Sequence, residues 1–297
     1  MPCAYRGRFA PSPSGPLHFG SLVCALASWL DARAHQGQWL LRIEDIDPPR
    51  EQAGADLLII DSLKQHGLDW DESHSYQSQH QHRYQQQLQN LKEQGLSYRC
   101  NCNRKRLKEL TGCYDGHCRL RTLPVNTPAA TRLNCDLAFS RQSLFSFQDR
   151  AQGLQKEDLA QSGDFIIHRK DGLFAYQLAV SCDDSHQGIT HVVRGSDLLE
   201  TTCKQVALMT LFGASTPNYL HIPVISSSAG QKLSKQNHAP ALNNTEALEN
   251  VKRACRALGM DTHSAPRELR ALLTWATERW PQLNLDDCRE LLLSDLS

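Results

Sequence analysis

Apolar and polar positions along this chain follow two rhythms. Short apolar runs of four to six residues read as buried strands, and longer stretches with apolar positions three and four apart read as helices. Residues 8–10 are short and apolar enough to end a strand, and residues 22–30 are rich in helix formers. Residues 39–43 read as a buried strand. Residues 53–66 read as an amphipathic helix with Leu57, Leu58, Ile60 and Leu63 on its apolar side, broken at Gly67. A polar, Gln-rich helix is expected over 78–94, on the outside of the fold, and a strand over 96–99. Residues 123–159 suggest a small mixed insertion with strand-like runs at 130–133 and 144–147. Strands follow at 164–169, 174–180 and 191–193, then a helix over 201–212. Three helices close the chain at 245–258, 266–280 and 286–293. No internal repeat is visible. Strands that alternate with helices and end in polar groups predict an α/β fold with a parallel sheet, whose ligands bind at the carboxyl edge.

The 297 residues leave ample core for one large domain or two modest ones. Lysine plus arginine equal aspartate plus glutamate at 32 each, so nucleic-acid binding must come from local patches. There is no long apolar run, and the N-terminus leads straight into a motif-like stretch. A cytoplasmic protein without membrane contact is therefore expected. The eleven cysteines scatter, save for a cluster between Cys100 and Cys118, which in a reducing compartment suggests a metal.

The candidate chemistry sits at four places. In residues 8–21, Pro11, Pro13, Gly15 and Pro16 forbid helix and ladder pairing, so the order is strand, rigid loop, helix. That order presents a helix N-terminus to a phosphate, with His18 placed to donate to phosphate oxygens. Lys232-Leu-Ser-Lys235-Gln follows a Ser/Gly-rich stretch suited to a mobile loop. Glu44, Asp45 and Asp47 crowd the end of a strand, where carboxylates repel unless they meet a cation. Cys100 and Cys102 lie one residue apart with Cys118 nearby, enough for three corners of a tetrahedral metal site. The fourth ligand could be Cys113, Tyr114 or His117, and chemistry alone favours Cys113 or His117, since phenolates rarely bind zinc. The same segment is basic, with Arg99, Arg104, Lys105, Arg106, Lys108, Arg119 and Arg121, and reads either as an RNA contact or as a solvated face.

His18-Phe-Gly-Ser21 and Lys232-Leu-Ser-Lys235-Gln resemble the His-Ile-Gly-His and Lys-Met-Ser-Lys-Ser signatures of class I aminoacyl-tRNA synthetases. They depart from them in the fourth position of the first and the last of the second. The preceding Arg8-Phe-Ala-Pro-Ser-Pro-Ser-Gly and the Arg42-Ile-Glu-Asp-Ile-Asp47 run resemble the glutamyl and glutaminyl branch. Cys100, Cys102, Tyr114 and Cys118 match the cysteine–tyrosine spacing of the glutamyl-Q tRNA(Asp) synthetases, and the likeness spans essentially the whole chain. It implies a class I Rossmann-like parallel sheet with a zinc-containing insertion, a C-terminal helical appendage and no anticodon-binding domain. The expected divisions are 1–98 and 161–236 for the two halves of the catalytic domain, 99–160 for the insertion and 237–297 for the appendage.

What the resemblance implies for chemistry is activation of glutamate by ATP with Mg²⁺, then transfer of the glutamyl group to the queuosine of tRNA(Asp) by a monomeric enzyme. Arg8, Ala10, Ser12, Glu44, Tyr176 and Arg194 would hold glutamate, with Glu44 on its ammonium. His18, Gly20, Ser21 and Lys235 would hold ATP, and His18, Lys232 and Lys235 would stabilise the leaving phosphates. Cys100, Cys102, Tyr114 and Cys118 would hold Zn²⁺. Val180 stands where ordinary glutamyl enzymes tend to carry asparagine. Which arginine takes the side-chain carboxylate is open, with Arg194 preferred. The rival functions are a minimal glutamyl-tRNA synthetase that charges a tRNA 3′ end and a non-catalytic RNA-binding paralogue.

Overall fold

Three prolines after β1 (Arg6–Phe9) remove ladder donors, and Gly15, at φ 141°, takes a turn that a side chain would strain. The chain therefore leaves the sheet and enters α1 (Phe19–Ala34), then returns as β2 (Gln38–Ile43). The computed structural model describes residues 4–110, 113–228, 231–233, 239–283, 285 and 288–296. The next elements are α2 (Ala55–Gln65), β3 (Ser75–Tyr76), α3 (Gln81–Glu93), β4 (Ser97–Cys100), α4 (Arg104–Glu109), β5 (Ala130–Leu133) and α5 (Cys135–Ala138). The chain continues through β6 (Leu144–Asp149), β7 (Gly153–Asp158), α6 (Leu159–Ser162), β8 (Ile166–His168), α7 (Tyr176–His186), β9 (His191–Gly195), α8 (Thr202–Leu211) and β10 (Asn218–Ile222). It closes with β11 (Val224–Ser228), β12 (Gln231–Lys232), α9 (Ala247–Ala257), α10 (Leu269–Arg279) and β13 (Glu290–Leu292).

Two parallel sheet halves meet side by side. One runs β1-β2-β3; in the other, β10 pairs in parallel with both β9 and β6, and β7 is added antiparallel outside β6. The Thr190 N–H donates to the Arg6 carbonyl at 2.9 Å, which sets the start of β9 beside the start of β1. Chain order reverses between these strands, so a crevice opens outside the carboxyl ends of β1 and β9, where open α/β sheets bind ligands. A third, antiparallel sheet of β4, β5 and β8 carries the cysteine segment.

Helix α1 is the hub of the core. Leu22, Leu26 and Leu30 are fully buried, and the same cluster takes in Trp39 and Leu41 of β2 and Val251, Leu272 and Ala276 of the closing helices. A helix covered on all sides reads as apolar all round. Among the described residues no helix is long and apolar enough to cross a membrane.

The structure corrects three readings. Residues 174–180 are not a strand: α7 begins at Tyr176 and buries Leu178, Ala179, Cys182, Asp183 and Asp184. Its two carboxylates face inward, so the polar face that marks a helix is missing from the pattern. The core side of α2 is Ala55, Ile59, Ile60, Ser62 and Leu63, so Ile60 and Leu63 lie as expected while Leu57 and Leu58 are exposed, Leu57 at 64%. Buried Ser62 is satisfied by Asn244, its hydroxyl donating at 2.9 Å, so a polar residue sits where sequence expects an apolar one. Within 286–293, residues Glu290–Leu292 form β13 and pair with the open edge of β11. Unpaired edge groups of β11 draw in a segment whose Arg-Glu-Leu-Leu-Leu sequence favours helix on its own, a case of tertiary pairing overriding local propensity.

Asp31 of α1 fastens three separate parts of the chain. Its carboxylate accepts from Tyr5 Oη at 2.5 Å, Arg150 Nη2 at 2.6 Å and Trp280 Nε1 at 2.7 Å, with 1% of its surface exposed. Burial and the adjacent carboxylate push the Tyr5 phenol well above its usual range. The Asp31→Ala change leaves these donors without an acceptor and should lower unfolding free energy by about 3 kcal/mol. Urea denaturation checks this, and a change under about 0.5 kcal/mol would show that water replaces the carboxylate.

Candidate active site

The crevice between β1 and β9 holds a cavity of about 330 Å³. Arg8, Ala10 and Ser12 line it from the end of β1 and the loop beyond. His18, Gly20 and Ser21 come from the start of α1, Tyr176 from the start of α7 and Arg194 from β9. Local sequence explains the placement: strand ends and helix starts are the only backbone that reaches a switch-point crevice. At Gly195 a Cβ would stand 2.5 Å from Asp197 Oδ1 and 3.1 Å from Val224 Cγ1, so a larger residue there would have to displace the Asp197 side chain. Glu44 is buried at 8% exposure beyond the end of β2 and is not part of the cavity lining.

Behind the lining lies a buried charge cluster that sequence reading does not anticipate. Arg8 donates from Nε and Nη2 to the Asp184 carboxylate at 3.1 Å each. Arg42, fully buried, reaches Asp184 at 2.8 Å, Glu44 at 3.5 Å and Asp183 at 3.8 Å. Asp183 also accepts from Gln77 Nε2 at 2.8 Å and Tyr84 Oη at 2.6 Å. Burial works to raise Asp184, but Arg8 and Arg42 outweigh it and hold the carboxyl below its usual range. Glu44 goes the other way. Burial pushes it up to about 7 against the pull of Arg42 and Arg8, so this carboxyl changes charge near neutrality. The only hint in the sequence is the Asp183-Asp184 pair ending an apolar run.

Arg194 is held differently. Its Nε donates to His221 Nε2 at 3.0 Å and its Nη2 to Thr202 Oγ1 at 2.7 Å, while its Nη1 is buried without a hydrogen-bond partner among the described residues. The neighbouring Tyr219 hydroxyl is also buried without one, and the guanidinium carbon stands 5.4 Å from that ring's centre. Burial with no partner is costly, and the cost is relieved when an anion enters beside Arg194.

At the start of α1, His18 is the N-cap. Its Nδ1 accepts from the Ser21 N–H at 3.2 Å, and its Nε2 lies 3.0 Å from Ser21 Oγ. The Ser21 amide thus has an internal partner, and the serine offers its hydroxyl beside the imidazole. Lys232 lies in β12, and Lys235 lies outside the described residues. Both flanks of that segment are tied to the cavity wall. Leu233 lines the cavity, its N–H donating to the Ile225 carbonyl at 2.7 Å. On the far side Ala241 bridges to His18, and the Leu242 N–H donates to the Leu17 carbonyl at 2.9 Å.

A second candidate centre is the cysteine cluster. The sulfur atoms of Cys100, Cys102 and Cys118 all lie within 4.8 Å of one another, an arrangement fit for a metal. Tyr114 Oη stands 3.4 Å from Cys100 Sγ and 3.5 Å from Cys102 Sγ, and accepts from the Cys118 N–H at 3.0 Å. Cys113 is exposed, and His117, also exposed, faces Arg121 at 3.0 Å. Arg132 is a residue that sequence reading missed. It is buried, lies over the Tyr114 ring at 3.9 Å, and brings Nε within 3.4 Å of Cys100 Sγ. Much of the local positive charge is structural. Arg99 donates to the carbonyls of Leu123, Pro124, Val125 and Thr127, Arg106 pairs with Asp115, and Arg119 pairs with Asp164 and Asp136.

Comparison with known proteins gives a consistent result. Residues 4–263 match the family model of the class I tRNA synthetases (E and Q), catalytic domain. A glutamyl-Q tRNA(Asp) synthetase of Pectobacterium atrosepticum is 49% identical over 280 residues, 93% of this chain and 85% of the relative. One from Escherichia coli K12 is 48% identical over 281 residues, 93% and 89% of the two chains. Among solved structures, a glutamate tRNA ligase from Elizabethkingia meningosepticum shares the fold with a TM-score of 0.73 at 22% identity. That match covers 91% of this chain but 64% of the ligase.

The charge cluster generates a stability prediction. Asp184→Ala strips two buried guanidiniums of their shared carboxylate and should cost about 3–5 kcal/mol. Asp184→Asn keeps acceptor capacity and should cost less. Equal unfolding midpoints for the two variants would show that the acceptor kept by Asn contributes nothing there, and a midpoint for Asp184→Asn equal to that of the unaltered protein would show the same of the charge pairing.

Proposed function

Because the chain belongs to the class I tRNA synthetase (E and Q) catalytic-domain family, and within it to the glutamyl-Q tRNA(Asp) synthetases, we propose that it activates glutamate with ATP and transfers the glutamyl group to the queuosine of tRNA(Asp). The observation that carries the reading is the buried, unpartnered Nη1 of Arg194 at the wall of the switch-point cavity. A guanidinium so placed answers to a carboxylate. Arg8 already gives a two-point grip to Asp184, so we assign the side-chain carboxylate of glutamate to Arg194. Glu44 takes the ammonium. Its carboxyl, near half-ionised at neutrality when alone, loses its proton when a cation arrives. Tyr176 and Ser12 add hydrogen bonds, and Ala10 leaves room for the ligand's backbone.

In the first step a glutamate carboxylate oxygen bonds to the α-phosphorus of ATP, and the bond to the departing pyrophosphate breaks. Charge builds on the phosphates, and His18, Lys232, Lys235 and the Mg²⁺ that accompanies ATP stabilise it. The tied flanks of the Lys232–Lys235 segment on the cavity wall support its role over ATP. In the second step a queuosine hydroxyl oxygen bonds to the acyl carbon, and AMP leaves. A cytoplasmic location and a monomeric state accord with this chemistry.

Cys100, Cys102, Cys118 and Tyr114 would hold Zn²⁺. Tetrahedral zinc with Zn–S near 2.3 Å sets S···S edges of about 3.8 Å, close to the 3.6 Å between Cys102 and Cys118. The metal's contribution is to tie the segment after β4 together, not to react. The exposure of Cys113 and the turn of His117 toward Arg121 favour Tyr114 as fourth ligand. Cys118→Ser should therefore lose the metal, whereas Cys113→Ser should keep it. Elemental analysis of both purified variants decides, and metal loss on Cys113→Ser alone would remove Tyr114 from the ligand set.

The acceptor is tested with tRNA(Asp) in two forms and radioactive glutamate. One form lacks its 3′-terminal adenosine, and the other comes from cells unable to make queuosine. The expected result is stable labelling of the first and none of the second. The reverse pattern identifies a small enzyme that charges tRNA 3′ ends, and labelling of neither identifies a binding protein.

A further inference from the structure

We infer that Asp149 and His221 are positioning residues for glutamate recognition, acting through Arg194; this rests on the reading of Arg194 as the carboxylate contact. Strand register brings the three together. Arg194 of β9 lies directly beside His221 of β10, and Tyr219, two residues before His221, lies beside Asp149 of β6. His221 and Asp149 are buried at 0% and 1% exposure.

The hydrogen bonds permit one tautomer. An arginine Nε can only donate, so the His221 Nε2 that it meets at 3.0 Å carries no proton. The proton is on Nδ1, which donates to Asp149 Oδ2 at 2.6 Å. Asp149 is fixed in turn by main-chain donors: Ala151 N–H at 3.0 Å and Gln152 N–H at 2.9 Å to Oδ1, and the His221 N–H at 3.1 Å to Oδ2. Thr202 Oγ1 accepts from Arg194 Nη2, which can only donate, and lies 2.9 Å from the Leu198 carbonyl and 3.2 Å from His221 Nε2, either of which can take its proton. With Nε on the imidazole and Nη2 on the threonine, Nη1 has no hydrogen-bond partner among the described residues. A neutral histidine held as an acceptor thus decides which edge of the guanidinium meets the ligand. It adds no charge of its own beside that edge.

Asp149→Asn tests the chain of contacts. The Asn oxygen stays with the Ala151 and Gln152 amides, so its NH₂ faces His221 Nδ1. The imidazole must then carry its proton on Nε2, where it opposes the Arg194 Nε–H. KM for glutamate in ATP–pyrophosphate exchange should rise about ten-fold or more, as for one misdirected charge-assisted hydrogen bond. KM for ATP should stay within about two-fold, since no ATP-contacting residue moves. His221→Gln, whose oxygen can accept from Nε, should retain glutamate affinity better than His221→Leu. Nitrogen-15 NMR of the unaltered protein gives a readout independent of folding of the variants: His221 should show a protonated Nδ1 and a bare Nε2. An Nε2-protonated His221, or an unchanged glutamate KM in Asp149→Asn alongside a raised one in Arg194→Ala, overturns the inference. An unchanged glutamate KM in Arg194→Ala itself overturns the assignment of Arg194 and this inference with it.

Discussion

The fold turns on the shared carboxylate of Asp184 between the guanidiniums of Arg8 and Arg42. Arg8 comes from β1, Arg42 from β2 and Asp184 from α7, so one buried ionic contact joins the first half of the sheet to an element of the second. Burying two cations and two anions is expensive, and mutual attraction offsets this only when each lone pair and proton is used. Here most are. Gln77 and Tyr84 serve Asp183, and Gln187 Oε1 accepts from Arg42 Nη1 at 2.5 Å. Apolar side chains would hold the two halves together equally well. They would not set the end of β1 at a fixed depth beside β9, which is what gives the crevice its charged wall. We read the cluster as an alignment device whose specificity counts for more than its net stability.

The same contact explains what the sequence conceals. Local signals are faithful where a segment's partner is near or generic: the proline loop before α1, the apolar run of β2 and the cysteine spacing all lie where their patterns place them. They fail where burial inverts the usual polarity. Asp183 and Asp184 lie on the inner side of α7, so its periodicity vanishes and it passes for a strand. Ser62 lies inward on α2 because Asn244, 182 residues on, accepts its hydroxyl, and Leu57 turns out to solvent. Arg8 reads as a ligand grip from its motif, yet its partner lies 176 residues away. His221 and Asp149 belong to no motif at all, and only strand register puts them behind Arg194.

The cysteine segment shows a related limit. Its run of arginines and lysines looks like an RNA-facing patch when counted along the chain. In three dimensions Arg99, Arg106 and Arg119 hold loops and carboxylates, and Arg132 lies inward against Tyr114 and Cys100. Three of the seven basic residues thus serve the segment's own turns and carboxylates, which leaves Arg104, Lys105, Lys108 and Arg121 as the charge that a nucleic acid would meet there.

The Arg194 wall of the cavity and the buried cluster behind its lining have opposite character. In the cluster Arg8 and Arg42 are shared among Asp183, Asp184 and Glu44, and burial outweighs the pull of both arginines on Glu44 and pushes it up to about 7. A ligand ammonium restores the balance. On the other side Arg194 has only uncharged groups as direct partners, Thr202 and an imidazole kept neutral by burial, which lowers its basicity. A ligand carboxylate relieves that side. On the proposed reading, glutamate brings its ammonium to Glu44 and its side-chain carboxylate to Arg194. A ligand with a neutral amide in place of that carboxylate would leave Arg194 without its anion, so on this reading an unpaired buried charge, more than any difference in shape, would separate glutamate from its amide.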